Sequence, residues 1–166
     1  MGKYIKKESY PLGKVFPHVE FLGPKNSKKN HRIDFDGDLV FMGSQRYQLF
    51  ALKGVKCCVC GLEGQYFTKE RSKYQDITTY HFNLYAWDKI GQVEVLITKD
   101  HIIPASSGGK DHLANFQVMC SRCNKMKGIW MPDEDTIKRI NEECEMKVTT
   151  YIKKYLDKKF NVDLNN

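Results

Sequence analysis

Apolar and polar positions alternate through the middle of this 166-residue chain and recur at helical spacing near its end. Residues 79–87 put Tyr80, Phe82, Leu84 and Ala86 on one side of an extended chain. Residues 92–99 (QVEVLITK) are rich in β-branched side chains, so two strands joined by the turn Asp88-Lys89-Ile90-Gly91 are expected. The second of them delivers the chain to Asp100-His101, and Pro104 ends it. Residues 106–109 (SSGG) open a loop, and residues 116–119 return as a short strand leading to Cys120. Earlier, residues 33–42 suggest short strands about the turn Asp36-Gly37. Tyr47, Leu49, Phe50 and Leu52 suggest a short helix over 44–53, stopped by Gly54. A further helix, capped by Ser121, would carry Cys123 and Asn124 and end at Gly128.

The tail over 133–160 reads as helix, with Ile137, Ile140, Cys144, Val148, Ile152, Leu156 and Phe160 at three- and four-residue spacing. Asp133 is its expected N-cap, and Val148-Thr149-Thr150 is its weak point. The apolar stripe is expected to pack on the body, Cys144 with it; a stripe used as a dimer seam is the alternative, which leaves monomer and homodimer both open. Residues 1–32, with Pro11, Pro17, Pro24 and the run KNSKKNHR, show little periodicity and read as an extended arm. Residues 68–76 read as a charged loop. The expected class is α+β, with an arm (1–32), a body (33–130, carrying an insert at 62–99) and a helical tail (131–166).

Charge sharpens this picture. The net charge is +7, and residues 1–32 carry +6 of it, with eight Lys/Arg against Glu8 and Glu20. A basic arm before a neutral body suggests a polyanion partner, since each neutralised phosphate releases counterions. No apolar run approaches the roughly 18 residues of a membrane span. The first residues show neither a secretory pattern nor a myristoylation pattern, which leads to the expectation of a cytoplasmic protein.

The cysteines decide more. Cys57/Cys60 and Cys120/Cys123 form two C-x2-C pairs. Two such knuckles can place four thiolates about one tetrahedral Zn²⁺. Gly61 follows the first pair, where the chain must turn tightly. Cys58, inside the first knuckle, could substitute for Cys57.

In residues 100–128 (DHIIPASSGGKDHLANFQVMCSRCNKMKG) the chemistry converges. Asp100 is a hard oxygen ligand of the kind Mg²⁺ takes. His101 is a proton acceptor near neutral pH. Asn124 directly follows Cys123, so the zinc knuckle would fix its position. Asp100-His101 with Pro104, Gly108-Gly109, Leu113-x-Asn115, Cys120-x2-Cys123-Asn124 and Lys127-Gly128, together with Cys57-x2-Cys60, resembles the HNH, or ββα-metal, endonuclease family over residues 57–128.

The resemblance implies a ββα-metal core within 33–130, framed by a structural Zn²⁺ on Cys57, Cys60, Cys120 and Cys123. His101 matches the general base and Asn115 the central residue that orients the loop and the base. Asn124 stands where His is usual, making the motif H-N-N; with Asp100 it would ligate a catalytic cation. An amide there favours Mg²⁺ or Mn²⁺ over Zn²⁺. The implied activity is one-metal hydrolysis of DNA phosphodiester bonds, with Arg122, Lys125 and Lys127 contacting phosphates. The lysine- and asparagine-rich chain is similar to phage-encoded members, which would place it in a host cytoplasm.

The alternative is a zinc-framed nucleic-acid-binding module without catalysis, which would have no need of Asp100, His101 and Asn124 together. A zinc-stabilised protein-interaction module would leave the basic arm unexplained. The other distinctive residues have plain expectations. His112 is read as an exposed loop histidine, His81 as surface or packing, and His18 and His31 as exposed in the arm. Glu70-Arg71 is read as a surface ion pair, and Trp87 and Trp130 as packing near the zinc frame.

Overall fold

The computed structural model describes residues 4–21, 32–74 and 80–163, and side chains as far as Lys158. Its elements run β1 (Tyr4–Pro11), α1 (Leu12–Val15), β2 (Arg32–Phe35), β3 (Asp38–Phe41), α2 (Gln45–Lys53), β4 (Tyr66–Ser72) and β5 (His81–Asp88). They continue with β6 (Val93–His101), β7 (Phe116–Cys120), α3 (Ser121–Lys127), α4 (Glu134–Cys144) and α5 (Val148–Asp163). Five strands form one antiparallel sheet in the order β1-β4-β5-β6-β7, and β2-β3 is a separate hairpin. The hairpin turns through Asp36 (φ 54°) and Gly37 (φ 85°), the left-handed pair that a two-residue turn requires.

The alternation seen in the sequence is the core. Phe82, Leu84 and Ala86 of β5, Val95 and Ile97 of β6, and Phe116 and Val118 of β7 are buried together. Tyr47 and Phe50 of α2 cover them, and the Tyr47 hydroxyl accepts the Phe82 N–H at 2.7 Å. Ser44 caps α2 by accepting from Arg46 N–H, and Gly54 (φ 87°) ends it. β6 therefore has two distinct sides at its end. Lys99 reaches Gln45 of α2, whereas Thr98 meets Asn124 of α3.

Four expectations need correction. First, residues 4–18 of the expected arm are largely built into the fold: β1 pairs with β4, and Tyr10 and Val15 are buried. Tyr10 packs edge-on against Phe35 and Phe82, a long-range contact that local periodicity does not reveal. The basic run over 25–31 lies outside the described residues.

Second, most of the expected loop at 68–76 is strand β4. Its Lys69 and Glu70 are fully buried. Lys69 meets Asp38 at 2.7 Å, Glu8 at 2.9 Å and the Phe35 carbonyl at 2.6 Å. Glu70 accepts from Asn83 at 2.6 Å and from Tyr85 at 2.8 Å, so the surface ion pair is in fact an interior network.

Third, the tail is two helices, broken at 145–147, one step before the β-branched run. Asp133 caps the first, accepting from Thr136 N–H at 2.8 Å. Ile140, Tyr151 and Ile152 are buried, and Cys144, Val148 and Leu156 pack against the core, so the stripe lies on the body. Fourth, the cap of α3 is Cys120 rather than Ser121. The Cys120 sulfur accepts from Cys123 N–H, so the residue that orders the helix is itself a metal-ligand candidate.

Candidate active site and metal frame

The two cysteine knuckles meet. The sulfurs of Cys57, Cys60, Cys120 and Cys123 all lie within 4.8 Å of one another. Bonds of about 2.3 Å in a tetrahedral site imply S···S edges of about 3.8 Å, and Cys60 and Cys120 are 3.8 Å apart. Burial pushes the Cys57 thiol up, but the backbone N–H groups of Cys60, Cys120 and Val59 outweigh it and bring it down to about 6. Burial, then the other three sulfurs, push Cys123 up, which is the mutual repulsion a dication would relieve. The donor set fits zinc. Cys58 stands outside it, exposed, with its thiol 3.5 Å from Gln117 Oε1.

The first knuckle is fastened to the sheet by Cys58 N–H donating to the Val118 carbonyl at 2.9 Å. The second sits where β7 passes into α3. That junction sets Asn124 against β6, where its amide donates to Thr98 Oγ1 at 3.0 Å. The single Thr98 hydroxyl proton goes to the Met119 carbonyl at 2.9 Å, so Thr98 can only accept from Asn124. The Asn124 carbonyl oxygen is thereby turned to the other side. Asp100, two residues along the same face of β6, binds Gln117 Nε2 at 2.8 Å and Lys127 Nζ at 3.0 Å, both through Oδ2. Its Oδ1 takes no hydrogen bond among the described residues. Asp100 Oδ1 and Asn124 Oδ1 are both hard oxygens, the donor type a small divalent cation takes.

On the opposite side, His101 Nε2 lies 2.9 Å from Asp111 Oδ1, and its ring packs edge-on against Phe116. Asn115 is fully buried and works as a clamp. Its Oδ1 accepts from Ile103 N–H at 2.8 Å, and its amide donates to the Ile103 and Lys110 carbonyls at 3.1 Å. These bonds close the loop that follows His101, though none reaches the histidine ring. Gly109 lies against the same point: a Cβ there would sit 1.9 Å from the Ile103 carbonyl oxygen. A strand-end Asp-His, a clamped loop and an Asn beside the cysteine cluster thus fall in one stretch of chain.

Residues 88–139 match the HNH endonuclease family. The match covers about a third of the chain and includes β6, β7 and α3. No curated protein and no solved structure matches.

Within the HNH segment the three basic residues expected at phosphates have different surroundings. Lys125 is exposed, with no ion pair among the described residues. Arg122 is exposed and pairs with Asp88 at 2.7 Å. Lys127 is turned inward, its side chain 9% exposed, and donates to the His101 carbonyl at 2.7 Å as well as to Asp100. Its ammonium is thus engaged by Asp100 and the His101 carbonyl rather than turned to solvent for the expected phosphate contact.

The other distinctive residues divide between readings that change and readings that hold. His112 is buried, with Nδ1 accepting from Ala114 N–H at 3.1 Å and the ring against Tyr151, so it closes the turn before β7. His81 is half-buried against Tyr4 and His18 is exposed with its ring edge-on to Phe35, both as expected; His31 lies outside the described residues. Trp87 and Trp130 are 46% and 65% exposed, so neither is part of the buried core.

Asp111, Gln117, Gln45, Arg46 and Lys99 escape the sequence reading. Ser44, Gln45, Arg46, Thr98 and Lys99 line a polar pocket of about 340 Å³ beside the His101 side of β6. Gln45 joins it to Asp111 by donating to the Asp111 carbonyl at 3.3 Å. Lys99 stands over the Phe116 ring, its pKa lowered by burial and by Arg46. The first residues of α2 are remote in sequence from the HNH segment, so no spacing rule points to them.

Proposed function

We propose that the chain is a metal-dependent DNA endonuclease in which His101 is the general base and β6, β7 and α3 form the ββα unit. The observation that carries the reading is the division at the end of β6. His101 and its carboxylate partner Asp111 lie on one side, Asp100 Oδ1 and Asn124 Oδ1, free of hydrogen bonds among the described residues, lie on the other, and Lys127 ties them together. A binding module has no use for that division.

The Asp111 carboxylate keeps the His101 proton on Nε2 and leaves Nδ1 to take a proton from the attacking water. Asn115 and Gly109 hold the loop after His101, fixing where the ring can point. Asp100 and Asn124 would hold Mg²⁺ or Mn²⁺, which when bound supplies charge stabilisation on the phosphoryl and leaving oxygens. Lys99 and Arg46 offer a seat for a phosphate near the base, and Lys125 and Arg122 contact the backbone from α3. The four cysteines hold zinc for structure only.

The test is cleavage of supercoiled plasmid in Mg²⁺ or Mn²⁺ by the zinc-loaded protein and by His101→Ala. Cleavage by the first alone, with equal zinc content in both, supports the reading. Equal cleavage by both would remove His101 from the role. Retained DNA binding with no cleavage of plasmid, single-stranded or branched DNA would favour the binding module.

A further inference from the structure

A second basic concavity lies away from the metal-ligand candidates, between the end of α2 and the C-terminal helices. It encloses about 350 Å³, and its charged lining is Lys53, Arg139, Lys154 and Lys158 against the single carboxylate of Glu143. Glu143 is already engaged with Arg139 at 3.5 Å. Among the described residues no carboxylate lies within ion-pair distance of Lys53, Lys154 or Lys158.

Lys53 is the informative member. Its ammonium donates to the Phe116 carbonyl at 2.8 Å beneath the Tyr151 ring, 5.8 Å from its centre. Burial pushes its pKa down to about 8, relieved only in part by Glu143. A cation drawn into a half-buried site without a counterion is costly unless an anion arrives from outside. Lys154 and Lys158 stand one helical turn apart on α5 and are exposed, so they flank the opening with two cations on one face. The lining includes Ile102, which follows the proposed base His101 in the chain.

We propose that this groove seats backbone phosphates of the nucleic-acid substrate to one side of the cleavage point. The inference rests on the nuclease reading above and extends it, because it makes α5 and the end of α2, both outside the HNH segment, part of the substrate-binding surface. It gives the C-terminal helices a task beyond packing. The recognised chemistry is the phosphodiester itself, so the groove contributes affinity without sequence preference.

The experiment compares three full-length, zinc-loaded proteins in a His101→Ala background, so that DNA stays intact. The first has no further change, the second carries Lys154→Gln with Lys158→Gln, and the third carries Lys73→Gln with Lys89→Gln. The last pair removes the same charge from exposed positions far along the chain. Binding of a fluorescein-labelled 30-base-pair duplex is followed by anisotropy from 50 to 300 mM KCl, and unchanged thermal midpoints establish that the variants fold. Loss of two phosphate contacts predicts that the slope of log K against log salt becomes shallower by about 1.8 for the groove variant only. An unchanged slope, or an equal change in the control pair, overturns the groove. Failure of the nuclease reading appears separately, as absence of cleavage by the protein with His101 intact.

Discussion

The Lys127 ammonium lies 3.0 Å from Asp100 Oδ2 and 2.7 Å from the His101 carbonyl oxygen, so one side chain from the end of α3 ties down both residues of the Asp-His pair. The helix that carries Asn124 thereby grips the strand that carries Asp100 and His101. Its other end is gripped by the cysteines. Both attachments come from a seven-residue helix with no buried apolar residue of its own.

An ammonium and a dication compete for the same carboxylate. Lys127→Gln is expected to lower the Mn²⁺ concentration for half-maximal cleavage severalfold, while turnover at saturating Mn²⁺ falls because His101 is held less firmly. A Mn²⁺ titration of plasmid cleavage separates the two effects, and a higher Mn²⁺ requirement would contradict this account.

Gly109 is required by space rather than by backbone angle. An alanine Cβ would meet the Ile103 carbonyl at 1.9 Å and the Asn115 amide at 2.8 Å, so the loop must shift. Gly109→Ala should cost about 1–3 kcal/mol in urea unfolding and reduce cleavage by about 100-fold through displacement of the base. Gly108→Ala, whose Cβ would meet nothing within 4 Å, should show only the strain of its φ of 83°.

The zinc reading separates Cys58 from its neighbours. Cys58→Ser should leave zinc content and thermal midpoint unchanged, whereas Cys57→Ser or a strong chelator should release the metal and melt the knuckles together with α3. Metal analysis and circular dichroism on the same samples decide it. Loss of zinc in Cys58→Ser would reassign the ligand.

Lys69→Ala leaves the Phe35 carbonyl without its buried donor, while Asp38 keeps Lys7 at 2.7 Å, and the expected destabilisation is about 1–3 kcal/mol. Lys125→Ala, on an exposed position without an ion pair, should change stability by less than about 0.5 kcal/mol. Chemical denaturation of both variants checks the contrast.

Burial, and then the charge of Arg46, lower the His81 pKa from 6.5 to about 4. The neutral ring is the folded form, so its stability contribution is complete above pH 6.5. It is lost as pH falls toward 4, because the unfolded chain takes up the proton first. His81→Phe keeps a ring against Tyr4 and should flatten the stability profile in that interval, as followed by urea midpoints. An unchanged profile would mean that other groups govern acid unfolding.

The sequence determined the parts whose physics is local. Alternation over 80–86 placed four side chains on one strand face, Asp36-Gly37 marked a turn that needs two left-handed residues, and Ser44 and Gly54 bounded α2. The paired cysteine knuckles, with Asp100-His101 and Asn124 at family spacing, pointed to an HNH endonuclease. Tertiary structure decided what depends on distant partners. Lys69 and Glu70 read as solvated because charge favours water, and they are buried because Asp38, Glu8, Asn83 and Tyr85 come from other strands to satisfy them. Residues 4–11 read as an arm because their hydrogen-bond partners lie some 60 residues later in β4. Asp111, Lys99, Arg46 and the groove under Lys154 and Lys158 belong to no motif. They become neighbours of the proposed site only when α2 and α5 pack beside the end of β6, and that arrangement is set by long-range burial, which no local spacing encodes.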